Sequence, residues 1–165
     1  MKSTFFIFIH LYFNFIKKAE YILAEIFSPD LQLIRFYIYD ICTKLQITPC
    51  DITDIKNIVG EAASNIVKYA YKNKRKYEEK TMELDITYKK EKNQIIIDII
   101  DHGKGFDPSF LNNLNKKEIE NKIKKMNKGG YGLYLIKKCS DKVEFDIKPF
   151  DKNVIRVTKN LQDIK

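Results

Sequence analysis

Cysteine and histidine are scarce in this sequence of 165 residues, and tryptophan is absent. The three cysteines, Cys42, Cys50 and Cys139, are odd in number and have no Cys-x-x-Cys spacing. This pattern argues against a disulfide framework and against a zinc site, and it fits a reducing, cytoplasmic compartment. The two histidines, His10 and His102, form no sequence cluster with the cysteines, which argues against a transition-metal site.

The N-terminus carries a hydrophobic run that is too short to cross a bilayer. This run, Phe5–Ile16, is broken by His10 and Asn14 and falls short of a membrane-spanning helix. No small-residue cleavage site follows it, as a secretory signal would require. Three interpretations of residues 1–18 stay open: a docking segment, a membrane-surface tether, or upstream sequence included by a misassigned start. We do not expect membrane contact here, and residues 19–165 read as one continuous domain.

Lysine dominates the charge. The chain has 30 Lys and Arg against 22 Asp and Glu, which gives a net charge of +8. This balance suits nucleic acid, anionic lipid, a nucleotide or an acidic protein, and it does not choose among them. Because the excess is mostly lysine interleaved with asparagine and isoleucine, we interpret it as a compositional bias and expect no direct nucleic-acid partner. With 44% hydrophobic and 32% charged residues, a largely disordered chain is excluded.

The sequence predicts a first strand at Tyr21–Phe27, and hydrophobic periodicity predicts two helices that follow it along the chain. Ser28-Pro29 is typical of an N-cap and first helical position, and Thr48-Pro49 repeats this signal with Asp51 as a capping acid. The apolar stripe of the first helix is Leu31, Ile34, Ile38, Ile41 and Leu45. The stripe of the second helix is Ile52, Ile55, Val59, Ala62, Ile66 and Ala70.

The later segments complete the fold pattern. Strands at 82–88 and 94–100 form a hairpin, and a long Asn- and Lys-rich connection at 106–128 precedes a helix at Gly132–Cys139. The last two strands are Val143–Ile147 and Val154–Thr158. The order βααββ–lid–αββ predicts an α/β (α+β) two-layer sandwich, with helices on one face of a mixed, mostly antiparallel sheet.

Three polar patches carry chemistry, and the first lies on the second predicted helix. Glu61 and Asn65 are four residues apart, so they share one helix face. The amide oxygen of Asn65 is a suitable Mg²⁺ ligand, and the carboxylate of Glu61 could accept a proton from an attacking hydroxyl. Taken alone, this patch also fits a solvated helix face.

The second patch, Asp101-His-Gly-Lys-Gly105, follows the predicted central strand. Gly103 and Gly105 permit close approach of a ligand to the backbone, and Asp101 can accept a hydrogen bond from an exocyclic amine such as that of adenine. An ordinary strand-ending turn has the same residue types. His102 reads as an exposed loop residue.

The third patch, Gly129–Ile136, closes the lysine-rich connection and opens a helix. Backbone N–H groups at a helix N-terminus form a cradle for phosphate. A flexible hinge before a helix is the alternative. The spacing is not that of a Walker A loop, because no Gly-Lys-Ser/Thr follows.

Together, the three patches resemble the N, G1 and G2 boxes of the GHKL (Bergerat-fold) ATPases, in the family's order and over most of the chain. Within that superfamily, three stretches are similar to the anti-sigma-factor serine/threonine kinases. They are EAASNIVKYAY at Glu61–Tyr71, DHGKGFDP at Asp101–Pro108 and GYGLYLIKKCSDKV at Gly130–Val143. One stretch departs from the pattern: members often have a Gly-Thr pair before the last strand, near the adenine pocket, where this chain has Asp151-Lys-Asn-Val154.

The resemblance implies a role for each motif residue. Glu61 would be the general base for a Ser or Thr hydroxyl, where histidine kinases usually carry an amide. Asn65 would bind Mg²⁺, and Asp101 would recognise the adenine amine in a pocket shaped by Gly103 and Gly105. The contacts to the phosphates of ATP would come from Lys128, Gly130, Gly132 and Leu133.

The resemblance therefore implies an ATP- and Mg²⁺-dependent serine/threonine protein kinase that acts as an anti-sigma regulatory factor. Such a protein would bind a sigma factor, phosphorylate an anti-sigma antagonist and form a homodimer. Three alternatives stay open: an ATP-binding, partner-sequestering module without kinase activity, a detached histidine-kinase catalytic domain, or a regulator of another target.

Overall fold

The computed structural model describes residues 20–26, 31–71, 82–108 and 131–163. Five strands form one sheet in the order β1-β2-β3-β5-β4, so the apolar strand β3 is central, as its sequence predicts. The strand bounds are Glu20–Ile26 (β1), Met82–Lys89 (β2), Gln94–Asp101 (β3), Lys142–Lys148 (β4) and Lys152–Asn160 (β5).

Within the described ranges, three α-helices accompany the sheet: α1 at Leu31–Lys44, α2 at Pro49–Asn65 and α3 at Tyr131–Cys139. The chain leaves α2 through a π-helical turn at Ile66–Ala70, and a short 3₁₀ turn at Lys90–Lys92 joins β2 to β3. The order of elements confirms the predicted βααββ–αββ pattern. Among the described residues, no helix is both long and apolar enough to cross a membrane.

The predicted start of α2 is confirmed. Thr48 is its N-cap, with its hydroxyl oxygen 3.2 Å from the backbone N of Asp51, and Pro49 opens the first turn. The hydroxyl of Thr48 also donates to Asp51 Oδ2 at 2.9 Å. The predicted start of α1 at Ser28-Pro29 and the apolar extension at 1–18 lie outside the described residues, so that domain boundary stays a prediction.

All four pairings between the described strands are antiparallel, which corrects the expectation of a mixed sheet. The reason lies in the last hairpin. The crossover through α3 makes β4 run parallel to β3, but β5 returns from β4 and takes the place beside β3. The two parallel strands are therefore never neighbours, while the predicted two-layer sandwich itself is confirmed.

The core lies between the helices and one face of the sheet. Alternate residues of β2 are buried, as its sequence pattern predicts, and each isoleucine removed from water contributes about 1.5–3 kcal/mol to folding. The most buried core side chains are Ile34, Ile38, Ile55, Ile58, Val59, Leu84, Ile95, Ile97, Ile99, Ile136 and Val157. The opposite face of the sheet carries a two-bond ion pair between Asp98 and Arg156.

A buried charge cluster joins the end of β5 to the start of α2. Lys159 Nζ lies 2.8 Å from Asp54 Oδ2 and 3.3 Å from Asp51 Oδ1, and Asp51 Oδ2 also accepts a hydrogen bond from the backbone N of Gln162 at 2.8 Å. Burial opposes the charge of Lys159, but the two carboxylates outweigh it and raise the pKa of this lysine. Asp51 is fully buried, so it joins the helix cap to the last strand.

We expect Asp51→Ala to lower the free energy of unfolding by about 3 kcal/mol, because it leaves buried donors and part of the Lys159 charge without a partner. The matched control is Asp40→Ala, since Asp40 pairs with Lys44 one turn away on an exposed helix face. That change should cost no more than about 0.5 kcal/mol. Urea unfolding of both variants measures the difference, and equal effects would contradict this interpretation of the cluster.

Candidate nucleotide site

The first motif lies at the end of α2, where the helix changes its winding. Glu61 and Asn65 occupy the last turns of α2, and the π-helical turn begins at the next residue. Such turns are rare and occur frequently at functional sites. The apolar pattern of this stretch predicted one continuous helix stripe to Ala70, because a single wider turn leaves the spacing of apolar residues nearly unchanged.

The π-helical turn brings the end of this segment against the second motif. The backbone carbonyl of Ala70 accepts a hydrogen bond from the backbone N of Lys104 at 3.0 Å. The hydroxyl of Tyr71 accepts one from the backbone N of His102 at 3.1 Å. These two bonds connect the first and second motifs directly, although about 30 residues of sequence separate them.

The second motif begins at the last residue of β3. Asp101 is only 6% exposed, and its Oδ1 accepts hydrogen bonds from the backbone N of Gly103 at 2.7 Å and from Asn153 Nδ2 at 3.0 Å. Gly105 has a φ of +69°, a conformation that glycine adopts without strain. The sequence prediction for this glycine therefore agrees with the backbone.

The third motif touches the first. A Cβ placed on Gly132, in the first turn of α3, would lie 2.8 Å from Glu61 Oε2 and 3.0 Å from Asn65 Nδ2. The missing side chain of Gly132 therefore leaves the space in which the carboxylate and the amide stand together. The structure brings the predicted residues Glu61, Asn65 and Gly132 into contact distance.

These segments enclose a cavity of about 260 Å³. Asp101 and Asn65 contribute polar groups to its lining, and Gly105 and Gly132 contribute backbone. Its apolar walls come from Ala62, Ile66, Phe106, Leu133 and Ile155. This volume lies just below the range of about 300–1,000 Å³ for small-molecule sites, and apolar walls with one carboxylate suit a flat, nitrogen-rich ring.

Two of the predicted nucleotide contacts, Lys128 and Gly130, lie outside the described residues. Leu133 lines the cavity, and the backbone contact that the resemblance implies for it stays a proposal. Gly103 packs against Ala70, where an added Cβ would come within 2.6 Å of the Ala70 carbonyl oxygen. The predicted roles of all these residues remain proposals.

Sequence reasoning missed several residues of this site. Tyr69 lines the cavity and is 58% exposed, and Phe106 packs edge to face against Phe145 beside it. Asn153 was noted only as a departure from the family pattern. An exposed tyrosine in a helix gives no sequence signal, whereas the position of Asn153 at the start of the last strand could have identified it.

The sequence matches the family described as "Histidine kinase-like ATPase domain" over residues 29–159. Serine-protein kinase RsbW of Halalkalibacterium halodurans is 34% identical over 136 residues, which cover 82% of this chain and 78% of the relative. The chain belongs to the RsbW branch of the histidine-kinase-like ATPases. RsbW of Bacillus licheniformis is 30% identical, over 79% of this chain and 81% of the relative. The predicted family is thereby confirmed.

Two solved structures share the fold of this RsbW-family chain. The structure of the RsbU and RsbW domains of a Mycobacterium tuberculosis protein superposes with a TM-score of 0.57 at 12% identity, over 84% of this chain and 32% of that chain. The SiaB–SiaC complex from Pseudomonas aeruginosa gives a TM-score of 0.60 at 15% identity. The match covers 83% of this chain and 88% of the other chain. This chain thus spans about a third of the mycobacterial chain, and the likeness supports the fold alone.

We expect Gly132→Ala in this RsbW-family chain to weaken ADP binding at least tenfold with little loss of stability. The added methyl group displaces the flexible ends of Glu61 and Asn65, which can move without unfolding the protein. Gly60→Ala is the matched control, because its Cβ would meet Arg35 Nε at 2.9 Å, the end of an equally flexible side chain. Calorimetric titration with ADP and Mg²⁺ separates the two, and an equal affinity in both variants would contradict the site.

His102 provides a pH-dependent contact beside the second motif. Its Nδ1 donates to the backbone carbonyl of Asp151, and its Nε2 lies 3.3 Å from Glu83 Oε1. The carbonyl of Asp151, with help from Glu83 and against partial burial, raises the pKa of His102 above 6.5. A raised pKa means that protonated His102 stabilises the fold below the ordinary histidine pKa. This contribution is lost as pH rises through the folded-state value.

We therefore expect wild type to be stabilised relative to His102→Gln at pH 5.5 and to lose this advantage at pH 8.5. Thermal unfolding at the two pH values measures the difference. An NMR titration of the His102 ring gives the pKa directly. A pKa below 6.5, or a stability difference that grows with pH, would refute the assignment.

Proposed function

We propose that this chain is an ATP- and Mg²⁺-dependent serine/threonine protein kinase that acts as an anti-sigma regulatory factor. The observation that carries the proposal is the meeting of Glu61 and Asn65 with Gly132 at a cavity that also contains Asp101. The amide of Asn65, the open backbone of Gly132 and the amine acceptor Asp101 line one small volume, and the carboxylate of Glu61 lies beside it at Gly132. The family membership supports the same conclusion.

The residues present fit a magnesium nucleotide. Asp101 would accept a hydrogen bond from the adenine amine, and the apolar walls would enclose the ring. The amide oxygen of Asn65 would hold Mg²⁺, which prefers oxygen ligands and retains several waters. Among the described residues, no group of three or more His, Cys, Asp or Glu side chains could hold a metal ion. The phosphate oxygens would therefore complete the coordination.

Glu61 is the residue that takes part in the transfer itself. Its carboxylate accepts the proton of a Ser or Thr hydroxyl while that oxygen bonds to the γ-phosphorus of ATP and ADP is displaced. A carboxylate suits a hydroxyl nucleophile, which must lose a proton, better than it suits the imidazole nucleophile of a histidine kinase. Most of the remaining acceleration comes from positioning and charge neutralisation.

The partners of this kinase follow from its family. We infer a sigma factor that the chain holds inactive and an anti-sigma antagonist that it phosphorylates, with the chain acting as a homodimer in the cytoplasm. The three free cysteines are consistent with that compartment. SiaB, one of the fold relatives, was solved in complex with SiaC, so proteins with this fold do form stable complexes with other proteins.

The test adds the purified chain, γ-³²P-ATP and Mg²⁺ to an extract of the source organism. The extract is heat-treated beforehand so that its endogenous kinases are inactive, and the labelling of its proteins is measured. We expect Glu61→Gln to retain ADP binding and to lower acid-stable labelling by about 10²- to 10⁴-fold, the usual contribution of a general base. Glu91→Gln is the matched control, because Glu91 lies in the 3₁₀ turn before β3, at the opposite end of that strand from Asp101.

Each rival predicts a different result in the same experiment. Acid-labile label would indicate transfer to histidine and would contradict the proposal. ATP binding without any transfer, together with unchanged regulation in Glu61→Gln cells, would identify a binding module instead.

A further inference from the structure

Asn153 stands directly beside the carboxylate that would read the base. In the antiparallel pairing of β3 with β5, Asn153 is the register partner of Asp101. Their side chains therefore share one face of the sheet and lie directly opposite each other on neighbouring strands. Asn153 is only 1% exposed, so it is a buried polar side chain next to Asp101, which lines the cavity.

The orientation of the Asn153 amide is fixed by its neighbours. Its Nδ2 donates to Asp101 Oδ1 at 3.0 Å and to the backbone carbonyl of Gly103 at 3.1 Å. Both of these neighbours are acceptors. A flipped amide would place oxygen against two oxygens, so the donor must face this way.

This arrangement controls what Asp101 can offer to a ligand. Its Oδ1 accepts from Asn153 Nδ2 and from the backbone N of Gly103, and these two bonds fix the orientation of the carboxylate. No described residue donates a hydrogen bond to the other oxygen, Oδ2. Asp101 lines the cavity, and its Oδ2 therefore remains available, as far as the described residues go, to accept a hydrogen bond from a ligand there.

The Oδ1 of Asn153 adds a second acceptor behind the cavity wall. It is buried and has no hydrogen-bond partner among the described residues. A Cβ on the cavity-lining residue Gly105 would lie 2.8 Å from it. Buried acceptors are normally satisfied by protein, water or ligand, so this oxygen also favours a donor at this end of the cavity.

We propose that Asn153 is a specificity-determining positioning residue, which holds Asp101 as an acceptor toward a 6-aminopurine and against a 6-oxopurine. The inference rests on the proposed nucleotide site and names the class of base that this site selects. An amino group donates to Asp101 Oδ2, whereas a keto oxygen at the same position faces a carboxylate. Asn153 thus takes, in this chain, a position where the family pattern has a Gly-Thr pair.

The experiment compares ADP with inosine diphosphate, which differs by a keto oxygen in place of the amine. We expect wild type to prefer ADP strongly and Asn153→Ala to lose about 10- to 100-fold of that preference, since one charge-assisted hydrogen bond to Asp101 is removed. Asn153→Thr, which keeps a hydroxyl donor, should recover part of the preference. Calorimetric titration of both nucleotides gives the ratio for each variant.

The control is Asn160→Ala on the same strand. Asn160 pairs with Gln94 at the far end of the β3–β5 ladder, where its Oδ1 accepts from Gln94 Nε2 at 2.8 Å, so its removal should leave the ratio unchanged. Thermal unfolding of all variants confirms that they fold.

Three outcomes would overturn the inference. An unchanged ratio in Asn153→Ala would show that Asp101 needs no support. An equal loss of affinity for both nucleotides would show a purely structural role. In both cases wild type still binds ADP, so the proposed function survives, whereas wild type that binds neither nucleotide would remove both.

Discussion

The packing of α2 against the central strands of the sheet is the constraint on which the site depends. Ile55, Ile58 and Val59 of α2 are completely buried in one core cluster with Leu84 and with β3. Helix α2 carries Glu61 and Asn65, and β3 ends in Asp101. This apolar contact therefore fixes the distance between Glu61, the proposed proton acceptor, and Asp101, the proposed adenine contact. Because protein cores are close-packed, the elements that form them can shift only slightly relative to one another.

Hydrogen bonds then fix the position of the turn after β3 more closely than the packing of the core does. The turn after β3 is bonded on one side to Ala70 and Tyr71, and on the other side to the β4–β5 hairpin, where the backbone N of Phe150 donates to the carbonyl of Gly103 at 2.8 Å. A loop that is hydrogen-bonded on both sides is already ordered before a ligand binds. Little conformational entropy is then lost on binding, which is the physical basis of preorganised recognition.

Local patterns in the sequence predicted much of this architecture. Thr48-Pro49 marks a helix start by its own capping chemistry, and the alternation of β2 reports its half-buried face. The glycine motifs point to close approaches that the structure contains. What the sequence could not provide depends on long-range pairing. The place of β5 beside β3 and the bond from Asn153 to Asp101 require residues far apart in sequence to meet, and no local periodicity records them. The π-helical turn after Asn65 is local, but it leaves the spacing of apolar residues nearly unchanged and so gives no signal.

Strand β5 shows how stability and specificity are separated along one element. The start of β5 carries Asn153, which is bonded to Asp101, and its end carries Lys159, which is paired with the carboxylates at the start of α2. The two ends are six residues apart and are joined by Ile155 and Val157, which are buried in the core. A substitution at the Lys159 end changes the free energy of unfolding without touching the cavity, whereas one at the Asn153 end alters the hydrogen bonding of Asp101. The base preference proposed for this chain could therefore change through substitutions at the start of β5, while the far end of the strand continues to stabilise the fold.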